Sequence, residues 1–433
     1  GQEQPASSFL EEVERLCGAR TTLRRLGPIP ALEQVLSERE LRQRVALEAL
    51  APPALRASAP HPAGELWGAR FAGEPWFEAA RTHARIEAER LRFFGEEDRL
   101  PGPFSGAVQD EALRPALQAM FSFSAQRPLS ASTLARFGSC RFRGFLSYGL
   151  RIPEPPRAFE ELDPRTRGTF WHKVVEELFA RLQAEGLLGR PLAEVPEPLL
   201  DAALEAASSA IVSRGPVGHP ALWRLARERA RAMARRILAD ESRGLPFAEL
   251  APRAYELAFG PGAADPAWAH VALEGGEGEA PIHFEGKIDR LDGAGAEVGV
   301  LDYKSGRIAP PTQLREQLLS TDFQLPLYLF AARASGLRTA RKAAWFSLRN
   351  GKSTYLSELL PDAKLEELLS TDPAVRARVA AEGGLNLPNA VQALVRGLRE
   401  GQFPARPRDC AECGYRAVCR ISQRRLAQKE EGT

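Results

Sequence analysis

Two neighbouring segments in the second half of the chain alternate apolar and charged positions as β-strands do. They read F-E-G-K-I-D-R-L-D (284–292) and V-G-V-L-D-Y-K-S (298–305), with a short glycine and alanine turn between them, and they predict two paired strands. Each carries a carboxylate where an apolar residue is expected, Asp289 and Asp302. Lys304 lies two residues beyond Asp302 and so shares its face of the sheet. This cluster of charges is costly unless a ligand binds there, and a divalent metal is the natural candidate.

Helical periodicity and strand-like runs divide the rest of the chain into two parts. Residues 1–127 are expected to be mainly helical, with helices near 9–16, 38–50 and 76–94. A second unit, 128–433, is predicted to hold all the strands, with Ser130 as the N-cap of its first helix. Its further helices are predicted over 168–182, 222–243, 322–332, 362–381 and 391–401. Its further strands are predicted over 255–259, 270–273 and 343–348, the last joined to 354–359 by a two-residue turn at Asn350-Gly351.

Composition places the chain among ordinary globular proteins. Of its 433 residues, 44% are hydrophobic and 26% are charged, and the net charge is +2. The balance of charge alone therefore does not indicate a nucleic-acid binder. No apolar run approaches the roughly 20 residues of a membrane span, and no signal peptide opens the chain, so a cytoplasmic location is expected. The chain begins at Gly1 and its first methionine is Met120, so we expect it to be a piece of a longer protein.

Three of the five cysteines form a C-x2-C-x5-C cluster near the end of the chain, namely Cys410, Cys413 and Cys419. This spacing predicts a metal or iron–sulfur site, because thiolate ligands suit zinc or a [4Fe-4S] cluster. A fourth thiolate would have to come from Cys140 or Cys17, of which Cys17 reads rather as a core residue. Cys140 would tie the two ends of the second unit together. The ligand types alone do not separate zinc from iron–sulfur.

Asp289, Asp302 and Lys304 together form a D…D-x-K pattern that suits phosphodiester hydrolysis. Paired carboxylates provide the hard oxygen ligands that Mg²⁺ and Mn²⁺ prefer, and a bound ion polarises the phosphate and activates water. Lys304 could orient that water or offset the developing negative charge. The alternative is that the two acids form ordinary surface salt bridges with neighbouring basic residues.

Three further residues are candidates for the same site. His172, in the first turns of a predicted helix, could add a metal ligand. Gln324 and Tyr328 lie four residues apart on one helix face, where they could position DNA or Lys304. The main-chain carbonyl of Tyr303 is a candidate ligand as well, although it would need a local distortion of the strand.

The motifs together resemble the RecB-family PD-(D/E)XK nucleases, in particular the iron–sulfur branch typified by the AddB subunit. The matching motifs are G-x-x-x-H (168–172), G-x-x-D-R-x-D (286–292), D-Y-K (302–304), Q-x-P-L-Y (324–328), S-x-S-x-L…C (130–140) and the terminal C-x2-C-x5-C. They cover residues 128–420 in the order of the family. The resemblance implies a restriction-endonuclease-like α/β core, in which helices flank a mixed central sheet, and cleavage of DNA that depends on Mg²⁺ or Mn²⁺.

The resemblance also implies roles for individual residues. His172, Asp289 and Asp302 would be metal ligands, and Lys304 would be the catalytic lysine. A structural [4Fe-4S] cluster would be held by Cys140, Cys410, Cys413 and Cys419.

The N-terminal residues resemble, more weakly, the last helicase-like part of AddB-type chains, and F-S-G-A-V-Q-D (104–110) is the best local match. The leading hypothesis is therefore a metal-dependent DNA exonuclease that acts on single-stranded ends in double-strand-break processing, together with a helicase-nuclease partner subunit. The alternative is a catalytically silent DNA-binding scaffold. The complete set of acids and lysine disfavours that alternative.

Overall fold

The computed structural model describes residues 35, 37–50, 64–95, 104, 106–154, 164–188, 196–242, 246–275, 279–405, 410 and 413–419. These residues form two compact units, one before residue 100 and one after it. The helix expected near residues 9–16 and Cys17 lie outside the described residues. None of the described helices is long and apolar enough to cross a bilayer.

The described part of the first unit contains three helices: α1 (Glu38–Leu50), α2 (Gly64–Phe71) and α3 (Pro75–Gly95). Helices α1 and α3 have the bounds that the periodicity predicts, within a residue. Helix α1 packs against α2 and α3. Val45 and Phe77 are buried, and the Phe77 ring lies beside those of Trp76 and Phe71.

The second unit contains all the described strands. These are β1 (Leu129–Ser130), β2 (Ala251–Phe259), β3 (Ala272–Leu273), β4 (Ile282–Ala294), β5 (Glu297–Lys304), β6 (Ala340–Ser347) and β7 (Ser353–Tyr355). Its helices are α4 (Arg114–Met120), α5 (Ala131–Ser139), α6 (Arg141–Gly144), α7 (Pro164–Ala184), α8 (Glu197–Val212), α9 (Pro220–Ser242), α10 (Pro311–Gln317), α11 (Gln324–Ala334), α12 (Leu356–Leu359), α13 (Asp362–Leu369), α14 (Pro373–Ala381), α15 (Leu387–Arg399) and α16 (Arg416–Cys419).

The strands form one mixed sheet in the order β1-β4-β5-β6-β7, with β2 and β3 also paired to β4. Strands β4 and β5 are antiparallel, as the sequence predicts, whereas β5 and β6 are parallel. Strand β2 runs antiparallel along the other edge of β4. The long strand β4 is therefore central, and it carries one of the two predicted acids.

Two hydrophobic cores cover the two faces of the sheet. Val300 and Trp345 point into one core, to which α5, α11 and α15 contribute. Leu301 and Phe346, the next residues along β5 and β6, point into the other core with α7, α8 and α9. The alternation of neighbouring residues between the cores is the period-2 pattern of a sheet that is buried on both sides. The second unit thus has three layers, with helices on both faces of a mixed sheet, as predicted.

Packing joins the residues just before the predicted boundary at 127/128 to the second unit. The main-chain N–H of Phe403 donates to the carbonyl of Gly106 at 2.8 Å, and that of Val108 donates to the carbonyl of Gly401 at 2.9 Å. Leu117 of α4 belongs to the first of the two cores. The limits of the nuclease domain itself, 128–433, stay a prediction.

Local capping explains where two of the elements begin. Ser130 Oγ accepts a hydrogen bond from the main-chain N–H of Thr133 at 3.2 Å and caps α5, as predicted. The helix expected over 362–381 is instead two helices, α13 and α14. The break occurs because Asp372 caps a new start, with Pro373 at its first helical position.

The connection after β6 also differs from the prediction. A two-residue turn at Asn350-Gly351 was expected, but the loop spans residues 348–352, and the returning strand β7 has only 3 residues. The chain then turns into α12, because the Glu358 carboxylate accepts a hydrogen bond from the main-chain N–H of Tyr355 at 2.8 Å and caps that helix.

A buried ionic network lies within the sheet layer beside the second core. Arg290 of β4 is 2% exposed, and its guanidinium donates to both carboxylate oxygens of Asp292, at 2.5 and 2.7 Å. It also donates to Glu241 of α9, at 3.1 Å for one of the contacts. Burial alone lowers the pKa of Arg290, but Tyr303, Asp292 and Glu241 outweigh it and raise the pKa. The guanidinium therefore stays charged and joins α9 to the centre of the sheet.

Replacement of Arg290 is expected to destabilise the protein strongly. Arg290→Met leaves the fully buried Asp292 and the partly buried Glu241 without their cation, and the loss of one partner from a buried ionic group costs about 3–5 kcal/mol. Arg341, which is 60% exposed and pairs with Glu366, provides the matched control. Arg341→Met should cost less than about 1 kcal/mol. Urea denaturation measures both, and equal stabilities of the two variants would contradict the role of the network.

Candidate active site

The pairing of β4 with β5 places the two predicted acids side by side. Arg290 lies opposite Leu301 in the antiparallel ladder, so the next residues outward are Asp289 and Asp302, with their side chains on one face. The main-chain N–H of Tyr303 donates to Asp289 Oδ2 at 2.7 Å. One carboxylate is thereby fixed by the backbone of the strand that carries the other.

Lys304 is held beside Asp302 by groups from three elements. Its Nζ lies 2.8 Å from Asp302 Oδ2 and 3.9 Å from Asp322 Oδ2. It also donates a hydrogen bond to Gln324 Oε1 at the start of α11. Asp322 is itself fixed, because it accepts hydrogen bonds from the indole Nε1 of Trp345 at 3.1 Å and from the main-chain N–H of Gln324 at 3.0 Å.

Gln324 and Tyr328 form a short chain of contacts behind the lysine. The Gln324 amide donates to the hydroxyl of Tyr328 at 3.4 Å while its carbonyl oxygen accepts from Lys304. Tyr328 is buried and packs edge-on against Phe259 of β2. Of the two roles that the sequence suggests for Gln324 and Tyr328, the geometry favours the positioning of Lys304.

A second group of potential ligands lies on the other side of Asp289. His172, Glu256 and Asp289 each offer one ligand atom, and these atoms all lie within 4.8 Å of one another. His172 Nδ1 is 3.7 Å from Asp289 Oδ2. Burial lowers the pKa of His172, and the charge of Asp302 and a hydrogen bond with the Tyr303 main chain oppose this effect. The structure thus places both Tyr303 and Asp302 beside the other predicted ligands, and Asp302 pairs with Lys304 as well.

Glu256 is the residue of this group that sequence reasoning missed. It lies on β2, between residues whose partners on β4 flank Asp289. Its φ of 47° is left-handed, which is rare for a non-glycine residue within a strand and costs about 1–2 kcal/mol. In the sequence it is a single polar position in a predicted strand, as any solvent-facing residue would be. No pattern in the sequence distinguishes Glu256 from an ordinary solvent-facing residue.

Burial controls the protonation of these groups. It raises the pKa of Asp289 well above the usual range, and the nearby carboxylate of Asp302 raises it further. Burial likewise raises the pKa of Asp302, against the opposing effect of Lys304. For His172, burial lowers the pKa, so its imidazole is neutral at neutral pH and can bind a metal.

The neighbouring carboxylates keep the Lys304 side chain protonated. Burial alone lowers the pKa of its ammonium, but Asp302 and Asp322 outweigh burial and raise it. The lysine therefore carries a proton at neutral pH and cannot accept one from water. It can offer positive charge and hydrogen bonds to a phosphate or to an attacking water.

The donor set fits a hard divalent cation. Carboxylate oxygens such as those of Glu256 and Asp289 are the ligands that Mg²⁺ and Mn²⁺ prefer, and the imidazole of His172 adds a nitrogen donor, which Mn²⁺ tolerates better than Mg²⁺ does. Asp302 is 1% exposed, and its Oδ2 lies 2.8 Å from Lys304 Nζ, so the lysine satisfies this oxygen. The feature that suits a cation is the close approach of the Glu256 and Asp289 carboxylates to a neutral imidazole.

The cysteine positions converge from both ends of the second unit. Burial raises the pKa of the Cys140 thiol, and Cys419 and Cys413 lie close enough to raise it further. The main-chain N–H of Cys413 donates to the carbonyl of Cys410 at 3.1 Å. The Tyr415 hydroxyl donates to the carbonyl of Ile152 at 2.5 Å, which joins the terminal segment to the residues that follow α6. Among the described residues, no three cysteine sulfurs approach within 4.8 Å of one another.

Comparison with known proteins agrees with this geometry. Residues 128–420 match the family described as the PD-(D/E)XK nuclease superfamily. The chain is 30% identical over 268 residues to a subunit of the ATP-dependent helicase/deoxyribonuclease from Pelotomaculum thermopropionicum, and the match covers 59% of this chain and 21% of that protein. It is 30% identical over 238 residues to the corresponding protein from Moorella thermoacetica, and this match covers 51% of this chain and 20% of that protein.

The chain spans about a fifth of the length of these relatives. The family match itself covers more than half of the chain and includes every strand of the sheet and both sets of motifs. On this evidence the chain belongs to the PD-(D/E)XK nuclease superfamily.

Proposed function

We propose that this chain is a divalent-metal-dependent DNA exonuclease that processes the ends of double-strand breaks. The observation that carries the proposal is the convergence of Asp289, Asp302 and a charged Lys304 on one face of two paired strands. Names of the relatives support DNA as the substrate and a helicase-nuclease partner subunit as the context. A single-stranded DNA end is the expected substrate.

The residues would divide the work of phosphodiester hydrolysis between two sides of the site. Asp289 and Asp302, with His172, Glu256 and the main chain of Tyr303, would hold Mg²⁺ or Mn²⁺, which when bound supplies positive charge to the phosphate and to the attacking water. Lys304, held by Asp302 and Gln324, would place a fixed positive charge beside the phosphate as negative charge develops. Its raised pKa makes it a charge-stabilising group rather than a base.

The cysteines are proposed to hold a structural [4Fe-4S] cluster, with zinc as the alternative. Cys140, Cys410, Cys413 and Cys419 supply the four thiolates, and the influence of Cys413 and Cys419 on the Cys140 thiol supports their proximity. Such thiolates survive in a reducing compartment, which fits the cytoplasm.

Loss of Lys304 or Asp302 should abolish DNA degradation. In Lys304→Ala the charge beside the phosphate disappears, and Asp302→Asn removes the carboxylate that holds it, so we expect each to lower the rate at least about 10²-fold. The assay is Mg²⁺- or Mn²⁺-dependent digestion of end-labelled single- and double-stranded DNA, which also reports the polarity of cleavage.

Lys342→Ala is the matched control for this assay, since Lys342 is a partly exposed lysine that pairs with Glu297 at the other end of the sheet. Full activity of Lys304→Ala, with an unchanged circular-dichroism spectrum, would sink the nuclease proposal. DNA binding without any cleavage by the unaltered chain would favour a scaffold instead.

The buried carboxylate of Asp289 should lower the stability of the metal-free protein at neutral pH. Because the folded-state pKa of Asp289 is raised above the ordinary value of 3.8, the folded protein binds this proton more tightly than the unfolded chain does. Stability is therefore lost as the pH rises from the unfolded value through the folded one. Asp289→Asn cannot ionise and should be more stable than wild type at neutral pH in EDTA, by about 1–2 kcal/mol.

Thermal melts in EDTA and in Mn²⁺ test this expectation. Mn²⁺ should raise the Tm of the wild type but not that of Asp289→Asn, because the variant lacks the ligand. Glu285→Gln, an exposed acid on the same strand, should behave as the wild type does in both conditions. An equal Mn²⁺ response in all three proteins would exclude an ion bound at Asp289.

The cysteine proposal predicts a coloured protein. Anaerobically purified protein should absorb visible light through thiolate-to-iron charge transfer and contain iron. Cys140→Ser should lose the metal and unfold at lower denaturant, because metal binding is coupled to folding. Cys17→Ser should keep both properties. A colourless protein with stoichiometric zinc would refute the cluster, and full metal content in Cys140→Ser would refute the fourth ligand.

A further inference from the structure

A cavity of about 470 Å³ opens beside Lys304. Its walls are the loop that follows β5, including Arg307 and Ile308, and the side of α10 that carries Gln313, Leu314 and Gln317. Trp345 and Asp322 also line it. We call this space the side cavity. Its volume lies within the roughly 300–1,000 Å³ of sites that hold small molecules.

The polar groups on the wall of the side cavity are available to a ligand. Gln313 and Gln317 lie four residues apart, so both amides occupy one face of α10. Neither side chain makes a hydrogen bond with any other described residue. Among the described residues, the exposed guanidinium of Arg307 likewise has no hydrogen-bond partner. In contrast, the charges at the inner end are satisfied, since Asp322 faces Lys304 and accepts from Trp345.

The chemistry of these groups selects a nucleotide among small ligands. A guanidinium next to the Lys304 ammonium attracts a phosphate. Two free amides can each donate to and accept from the polar edge of a base. Ile308, which is partly exposed, adds apolar surface for the face of a base or a sugar. Trp345 is fully buried, and its Nε1 is already bonded, so it offers no face for stacking.

We propose that the side cavity binds the nucleotide next to the scissile phosphate of a DNA strand. Arg307 would contact the phosphate on the far side of that nucleotide, and Gln313 with Gln317 would contact its base. This inference rests on the proposed nuclease function and names a subsite for its substrate.

The position of the side cavity defines the path of the strand. Lys304 lines it, whereas His172, Glu256 and Asp289 do not. The scissile phosphate would lie between Lys304 on one side and the group of His172, Glu256 and Asp289 on the other. The bound nucleotide then follows on the side of Lys304 that faces α10.

The first test concerns the phosphate contact. Binding of fluorescein-labelled single-stranded oligothymidylate is measured by fluorescence anisotropy in EDTA at several salt concentrations. Arg307→Gln should weaken binding by about tenfold and lower the slope of log Kd against log salt by about 0.7, the value for one lost phosphate contact on a single strand. Arg338→Gln is the matched control, because Arg338 is exposed on a loop before β6, away from the C-terminal end of β5. Identical slopes in the two variants would overturn the phosphate contact.

The second test concerns the base. The unaltered protein should bind oligothymidylate more tightly than a strand of the same length made of abasic residues. The double variant Gln313→Leu with Gln317→Leu should bind oligothymidylate several-fold more weakly, with an unchanged salt slope and a reduced preference over the abasic strand. Gln118→Leu, at an exposed glutamine on α4, should keep the full preference. An unreduced preference in the double variant, or equal binding of both strands by the unaltered protein, would overturn the base contact.

The same preparations separate this inference from the proposed function. If the unaltered chain neither binds nor cuts DNA, the proposed function fails. If it cuts DNA and Asp302→Asn abolishes the cut, while the side-cavity variants bind as their controls do, only the nucleotide subsite is wrong.

Discussion

The hydrogen bond from the Tyr303 main chain to Asp289 fixes the arrangement on which the rest of the site depends. It sets the carboxylate of one strand against the backbone of the next, and so brings two desolvated acids together at the centre of a sheet. Their repulsion has to be offset within a few ångströms, because water does not reach them freely. Lys304 offsets the charge of Asp302. Asp289 instead lies beside the neutral imidazole of His172 and the carboxylate of Glu256, a donor set that suits a cation.

The opposite side of the same strands explains how this arrangement is kept rigid. Neighbouring strand residues point to opposite faces, so Arg290 and Tyr303 lie behind the positions of Asp289 and Asp302. There Arg290 is bonded to Asp292 and Glu241, and its guanidinium lies over the Phe179 ring, 5.4 Å from the centroid. Because Arg290 is held by Glu241 of α9 and by Asp292 of its own strand, the adjacent Asp289 is held in place on the opposite face. The G-x-x-D-R-x-D motif therefore combines one proposed ligand, Asp289, with the residues that fix its position.

Site residues could be predicted from the sequence where they contradict the pattern of the residues around them. An acid within a buried apolar run, as at Asp302, contradicts the pattern around it, and period-2 spacing then places Lys304 beside it. Glu256 breaks no such rule, because a polar residue in an edge region of a strand is ordinary and its left-handed φ has no signature in the chain. The contacts of Gln324 with Lys304 required the packing of α11 on β5. The returning strand β7 was predicted too long for a similar reason, since the Glu358 cap competed with strand propensity.

The contacts between Tyr415 and Ile152, and between Phe403 and Gly106, have a consequence for the making of the protein. The seven strands that the structure describes lie between residues 129 and 355, so the ribosome releases this sheet before it releases the second partner of either contact. Chains fold from the N-terminus as they emerge, at about 5–20 residues per second. The sheet can thus be assembled for several seconds while the cysteine segment is still being synthesised. These contacts therefore form after the sheet, and a chain truncated before Cys410 would keep its acids, its lysine and the contact between Phe403 and Gly106 but lose the contact between Tyr415 and Ile152.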